Sequence, residues 1–334
     1  MLSRVADSIY WMGRYVERAE NVARFVDVNL NLMLDTPEGA DQQWQPLVNI
    51  TGDDEVFAKR FQKATRENVI QFLTFDREYG NSIIACLRAA RENARSVRDV
   101  ISSEMWLQLN QFYLDVTATA ASGKGLESPH DFFSGVKMSS HLFAGVTDAT
   151  MTHSEGWHFC QLGRMVERAD KTSRILDVKY FILLRSAADV GTPFDEVQWA
   201  AVLRSASAFE MYRKRHGAIL PRSIVEFLLL DDEFPRSIRF CLNAARDSLQ
   251  AIAGAEPGTP RKGPEKLLGQ LCSDLEYSNV DDLIEDGLHE YLDKLQTRMN
   301  QVGAGIYDRF FAKRMPESKL ARTRTKKQDA SFQI

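Results

Sequence analysis

Cysteine is scarce and scattered in this chain of 334 residues: Cys86, Cys160, Cys241 and Cys272 stand far apart and form no Cys-x-x-Cys pair. That excludes a disulfide framework and a paired-cysteine zinc site, and leaves four reduced core thiols. Long apolar runs are missing as well. No stretch approaches the roughly 20 uninterrupted apolar residues that a bilayer span requires. The opening Met1-Leu2-Ser3-Arg4-Val5-Ala6-Asp7 lacks the basic region and apolar core of an export signal. The expected location is the cytoplasm, away from membranes. Positive charge is not in excess either: 42 lysines and arginines face 46 aspartates and glutamates, a net charge of −4, which gives no general field for nucleic acid. No segment alternates apolar and polar residues between turn signals, so strands are not expected.

What the sequence does contain is a repeat. Gly13-Arg14-Tyr15-Val16-Glu17-Arg18-Ala19-Glu20 aligns with Gly163-Arg164-Met165-Val166-Glu167-Arg168-Ala169-Asp170 at an offset of 150 residues, and the match runs on through Arg24/Arg174 and Asp27/Asp177. A second block joins Gln43-Trp44, Phe72-Leu73, Asp76, Glu78, Ser82-Ile83 and Cys86-Leu87 to Gln198-Trp199, Phe227-Leu228, Asp231, Glu233, Ser237-Ile238 and Cys241-Leu242 at an offset of 155. A third sets Ala144-Gly145 and Asp148 against Ala304-Gly305 and Asp308 at 160. Three blocks in one order, drifting apart by loop-sized steps, read as an internal duplication: copy one over 1–152, copy two over 153–312, and a basic tail, 313–334, too poor in large apolar residues to fold.

Periodicity makes both copies helical. Ile9, Met12, Val16, Ala19, Val22, Ala23 and Val26 recur at the helical pitch, as do Ile83, Leu87, Ala90, Ala94, Val97 and Ile101 in a segment from Asn81 to Ile101 with Asn81 as its N-cap. Breaks fall at Pro37-Glu38-Gly39, at Thr51 to Asp54, from Ser122 to Pro129, at Gly191-Thr192-Pro193 and from Gly254 to Pro264. The fold class is all-α, a bundle or array of about a dozen helices in two tandem pseudo-symmetric copies.

On a helical wheel Arg14, Glu17, Asn21 and Arg24 fall opposite the apolar face of the first helix with Tyr10 beside them, and Arg164, Glu167, Lys171 and Arg174 fall in the same places on its counterpart. Three readings are open. The charges form a solvated face, with i,i+4 pairs such as Glu20 and Arg24 adding a few tenths of a kcal/mol each. Or the two helices pair about a pseudo-twofold axis, Glu17 meeting Arg168 or Arg164 and Glu167 meeting Arg18 or Arg14 in a register-fixing network. Or the arginines line a groove for a phosphate or carboxylate. Apolar positions differ between the copies (Tyr15/Met165, Val22/Thr172, Phe25/Ile175) while Arg14, Glu17, Arg18, Arg24 and Asp27 recur, which is unlike a free surface.

Other motifs are weaker. Arg88, Arg91, Arg95 and Arg98 make a basic stripe interrupted by Glu92 and Asp99, read as a solvated face. His153 and His158 are spaced i,i+5 and do not share a helical face, so no metal is expected there. Gly123-Lys124-Gly125 lacks the spacing of a phosphate-binding loop, and no nucleophile motif is present.

The opening Tyr10-Trp11-Met12-Gly13-Arg14-Tyr15-Val16-Glu17-Arg18-Ala19-Glu20-Asn21, with Cys86-Leu87-Arg88-Ala89-Ala90-Arg91-Glu92-Asn93 and the second Val166-Glu167-Arg168-Ala169, resembles the bacterial alpha-E domain family, all-helical proteins with a Glu-Arg motif. The resemblance covers the chain to about residue 312. It implies partnership with a circularly permuted ATP-grasp protein and with a transglutaminase-like protein, and hence a place in a system that makes or processes an amide bond. No cofactor of its own is implied. The leading expectation is an auxiliary helical subunit that docks on an ATP-grasp ligase. The alternatives are an enzyme with Glu17 and Glu167 as general bases and Arg14, Arg18, Arg164 and Arg168 holding an anionic substrate, or a purely structural scaffold.

Overall fold

A computed structural model describes residues 1–34, 44–123, 127–181, 193–254 and 263–312. The breaks expected at 37–39 and 191–192, the Lys124-Gly125 part of the connector and the tail 313–334 lie outside the described residues. Among those described there are fifteen α-helices and no strand.

Two long helices, α1 (Ser3–Leu34) and α8 (Glu155–Phe181), form the axis of the molecule. Their contacts pair Tyr10 with Gly163, Gly13 with Cys160 and Glu17 with Arg168, so the helices run side by side and parallel. Short helices α2 (Gln45–Thr51), α3 (Asp54–Ala58) and α4 (Arg66–Ile70) lead through a π-helical turn at Gln71–Phe75 to α5 (Ile83–Ser96), α6 (Ser103–Ser122) and α7 (Pro129–Thr150). Helices α5 and α7 pack on α1, with α6 bridging them. After α8 come α9 (Pro193–Ser205), α10 (Phe209–His216), α11 (Pro221–Leu230), α12 (Ile238–Ala253), α13 (Pro264–Glu276), α14 (Val280–Glu285) and α15 (Leu288–Ile306). Helices α12 and α15 pack on α8, with α13 bridging them. Two four-helix groups therefore meet along the α1–α8 seam.

The aligned blocks have local reasons to recur. The Asp76 carboxylate accepts from the amides of Glu78 and Tyr79, and the Asp231 carboxylate from those of Glu233 and Phe234, closing a turn before each following helix. Ser82 and Ser237 then cap α5 and α12, their hydroxyls accepting from the amides of Ala85 and Phe240 at 3.2 and 3.1 Å. The cap of α5 is thus Ser82 and not Asn81, and the helix ends at Ser96, short of Ile101. Two observations account for the difference. The Asp76 turn delivers the chain to Ser82 in extended geometry, and Asn81 is drawn into a contact described below. Stacked rings back the turn in each case, Phe72 on Tyr79 and Phe227 on Phe234.

The basic stripe running from Arg88 on α5 to Arg98 just beyond it is only partly solvated. Arg91 donates to Asn110 and lies over the rings of Trp106 and Tyr113, and Arg98 covers Trp106, so half the stripe clamps α6. His153 stacks on Trp157.

All four cysteines are free and buried. Burial pushes Cys86 and Cys241 up to about 12 and Cys160 and Cys272 up to about 11, suppressing the thiolate. An aromatic disulfide reagent at mildly alkaline pH is expected to leave the native protein unlabelled and to titrate four thiols after unfolding in denaturant; fast labelling of the native protein would contradict this packing.

Candidate functional site

The seam begins with glycine. A Cβ on Gly13 would sit 2.5 Å from the carbonyl oxygen of Cys160, and one on Gly163 would sit 2.2 Å from that of Tyr10. Each glycine meets the residue three places before the other, a reciprocal contact that lets two backbones touch where any side chain would hold them apart.

That approach carries the next turn of each helix into its neighbour. Glu17, 2% exposed, accepts both arms of Arg168 at 2.8 Å, and Glu167, 0% exposed, accepts Arg18 at 2.6 and 3.0 Å. Each Glu-Arg pair is thus completed by the other copy of the motif, two bidentate forks crossing in opposite directions. The face that a helical wheel sets opposite the apolar stripe does not meet water. Helix α1 is packed by α5, α7, α8 and α9, and Tyr10, Glu17, Asn21 and Arg24 are all buried. A solvated face is excluded for these residues.

Around the crossed pairs the cages differ. Arg14 adds a third bond to Glu167 at 2.8 Å, while Lys171 stands 3.6 Å from the same carboxylate and Asn81 accepts from Arg18. Glu17 instead receives Arg236 at 3.2 Å and the amide of Asn21 at 3.2 Å. Under the block offsets Asn21 corresponds to Lys171 and Asn81 to Arg236. At these exchanged positions each cage therefore holds one asparagine and one cation, and the Glu167 cage holds Arg14 besides. Arg236 and Asn81 went unread in the sequence as network residues; the signal was this compensating exchange of asparagine for a cation.

A turn further along, Glu20 accepts Arg24 and, at 2.7 and 2.8 Å, Arg236, while Asp170 accepts Arg174 at 3.0 Å and Lys171 at 3.0 Å. The Glu20–Arg24 pair is not a surface pair, since both residues are buried. Arg24 reaches the hydroxyl of Ser207, and Arg174 lies against Gly52; these two partners correspond under the offset of 155 and both have positive φ, +50° and +74°. At the far end of the motif, Asp27 holds His130 at 2.7 Å and Lys137 at 2.5 Å, and Asp177 holds His289 at 2.5 Å.

Of the eight charged residues singled out in the sequence, Arg14, Glu17, Arg18, Glu167 and Arg168 are brought into the crossed cages and Arg24 and Arg174 into the next layer. Arg164 is left aside. Among the described residues its one hydrogen bond goes to Gln161 and no carboxylate lies within salt-bridge distance, although Glu17 and Asp148 stand near enough to favour its charge. Burial acts to raise the pKa of Glu17 and of Glu167, but Arg168 and Arg236 for the first, and Arg18, Arg14 and Lys171 for the second, hold both carboxyls below their ordinary range. Glu20 and Asp170 are depressed in the same way by Arg236 and Arg24, and by Lys171 and Arg174.

Open space adjoins the seam on both sides. A cleft of about 300 Å³ is lined by Tyr10, Trp11, Arg14, Asn300, Gly303 and Tyr307. A far smaller one, of about 20 Å³, is lined by Glu17, Cys160, Gln161, Arg164, Ser140 and Asp148. Glu17 reaches the wall of the smaller cleft but is only 2% exposed, its carboxylate already filled by Arg168, Arg236 and Asn21, and Glu167 lines neither cleft.

Gly13→Ala and Gly163→Ala should each lower stability by on the order of 1–3 kcal/mol, because the new methyl meets a backbone carbonyl that cannot rotate away. Gly145→Ala, on open surface of α7, should be neutral or stabilising by up to about 1 kcal/mol. Thermal melts of the three variants read the difference, and equal melting would refute the close contact. Glu17→Gln and Glu167→Gln leave buried guanidiniums unmatched and should each cost about 3–5 kcal/mol. The same carboxylates give the protein its acid sensitivity. Their folded-state pKa values lie below those of the unfolded chain, near 4, so their stabilisation is complete above that value and is lost as pH falls through it and beyond. Urea midpoints should fall between neutrality and about pH 3 in the wild type, and less steeply in a Glu17→Gln variant.

With this geometry in view, comparison with known proteins is informative. The family model Alpha-E, described as a predicted alpha-helical domain with a conserved ER motif, matches residues 1–311. The uncharacterized protein Mb2597 of Mycobacterium bovis is 25% identical over 314 residues, and the uncharacterized protein Rv2567 of Mycobacterium tuberculosis is 24% identical over 314 residues. Each match covers 87% of this chain and 34% of the relative, so the chain spans about a third of the length of the curated relatives it matches. No solved structure matches. The two Glu-Arg dipeptides in the sequence, Glu17-Arg18 and Glu167-Arg168, are the two halves of the crossed ion pair, and the chain belongs to the Alpha-E family.

Proposed function

We propose that this protein is a duplicated helical module that performs no chemistry at its Glu-Arg motif and acts by docking, as the auxiliary subunit of an ATP-grasp amide ligase in the cytoplasm. The closure of the glutamate cages carries the reading. A general base needs a carboxylate that a substrate proton can reach and a pKa near the working pH. Glu17 and Glu167 are buried, each accepts from two or more cationic side chains, and both are depressed, so they are weak bases with their acceptor positions filled. The motif on this reading is the internal joint between two copies of one ancestral unit.

Two further observations support a docking role. In the mycobacterial relatives the matched segment is about a third of a longer chain, the arrangement of a module that works beside another. The α6–α7 pair also presents apolar side chains to solvent: Leu107 and Leu114 two turns apart on α6, Met138 and Leu142 one turn apart on α7. Gln108 bonds the backbone of Ser139 between them, setting the two rows side by side. Apolar surface grouped in this way is what an interaction face requires.

Co-expression with the ATP-grasp protein encoded nearest to it is expected to yield a stable complex. Leu107→Lys combined with Leu142→Lys should abolish the complex while leaving the melting temperature of the free protein unchanged. Absence of a complex with the wild type would refute the auxiliary reading and leave the scaffold reading in its place.

A further inference from the structure

Each half places a cleft beside the seam, and the two have diverged. Arg164 lines one together with α7, and Arg14 lines the other together with α15. On the α7 side Phe143, 3% exposed, occupies the wall, and room remains for about one water. Under the block offset of 160 its counterpart on α15 is Gly303, where a Cβ would meet nothing nearer than Nη1 of Arg14 at 4.0 Å. The cleft there, about 300 Å³, has the size of a small-molecule site. Its surroundings are aromatic. Arg14 lies over the ring of Trp11, 4.9 Å from the centroid, and Tyr10 packs on Phe311. Tyr307 and Phe311 begin and end a π-helical turn that follows α15, an uncommon element found mostly at functional sites. Tyr307 lines the same cleft and is 54% exposed, an aromatic ring left open to a partner.

Positive charge is in surplus beside this cleft. Arg14, Arg18 and Lys171 answer Glu167, and Lys171 and Arg174 answer Asp170, so four cations stand against two carboxylates. Asp170 is in the cleft wall, but its oxygens already hold Lys171 and Arg174, and Glu167 lies outside it. Arg14 gives Nε to Glu167 and Nη1 to Tyr10; its Nη2 hydrogen-bonds to no described residue, and 16% of the side chain stays open. We propose that this cleft binds a small aromatic monocarboxylate, its ring against Trp11 and Tyr307 and its carboxylate on the outer edge of Arg14, with the amide of Asn300 as a second donor. Aromatic walls favour a ring over an aliphatic tail. The uncompensated guanidinium edge favours a carboxylate over a neutral amide.

The test is a saturation-transfer NMR titration of the full chain with benzoate, benzamide and acetate at equal ionic strength. Benzoate should bind saturably, and benzamide about tenfold or more weakly, the difference between a charge-assisted and a neutral hydrogen bond. Acetate, which keeps the charge and lacks the ring, should be weaker than benzoate by a similar factor. Asn300→Asp, at an exposed position, should weaken benzoate and leave benzamide as it was. Gly303→Phe, which fills the cleft as its counterpart does, should abolish benzoate binding. Tyr307→Thr, which installs the other half's residue at an exposed position, should weaken it with no change in melting temperature, and decides the matter if Gly303→Phe does not fold. Any of four outcomes overturns the proposal: no saturable binding of benzoate, benzamide binding as tightly as benzoate, acetate doing so, or a folded Tyr307→Thr variant that binds benzoate as the wild type does.

Discussion

Everything in this molecule depends on two glutamates that cannot reach water and must be answered from the neighbouring helix. An isolated buried carboxylate costs several kcal/mol even after relaxation, so Glu17 and Glu167 tolerate only an arrangement in which Arg168 and Arg18 arrive on them with both arms. The glycines make that arrival possible by letting the helix backbones touch, and the flanking helices then close over the seam. Ion pairs buried in this way contribute little net stability over a well-packed apolar contact; what they supply is a large penalty for the wrong register. A shift of one turn along the seam would break both crossed forks at once.

Much of this was legible in the sequence. The helical class followed from periodicity, the internal alignment pointed at the two Glu-Arg helices, and one of the readings it allowed pairs Glu17 with Arg168 and Glu167 with Arg18, the contacts the structure contains. Burial of the charged face was harder to read. A helical wheel sorts residues by polarity, and on α1 polarity and exposure part company because partners from α8 and from the turn before α12 neutralise the polar side. Arg236 was invisible for the same reason: well beyond the end of α8, it reads as a surface arginine until the fold sets it on Glu17 and Glu20. Asn81 read as a helix cap because it precedes an apolar run, but the real cap is fixed one residue later by the hydroxyl of Ser82, leaving Asn81 to hold Arg18.

The two cages share their crossed forks and differ at the rim. Exchange of Asn21 with Lys171 and of Asn81 with Arg236 keeps one added cation in each cage but moves it from one wall to another. On the side of Glu167 that leaves room for Arg14 to join; on the side of Glu17 it shuts Arg164 out. The crossed forks and the two glycines are alike in the two halves, and the differences lie around them.

The parallel course of α1 and α8 carries a cost in time. Antiparallel neighbours can zip together as soon as a hairpin forms, but these partners are separated by about 150 residues of chain, and every contact across the seam closes a loop of that length. During synthesis Glu17, Arg14 and Arg18 emerge long before Glu167 and Arg168 exist to meet them. The first half of the chain must therefore wait with the charged face of its first helix unsatisfied, open to solvent or to a chaperone, and the two halves become one cooperative folding unit instead of two domains in series.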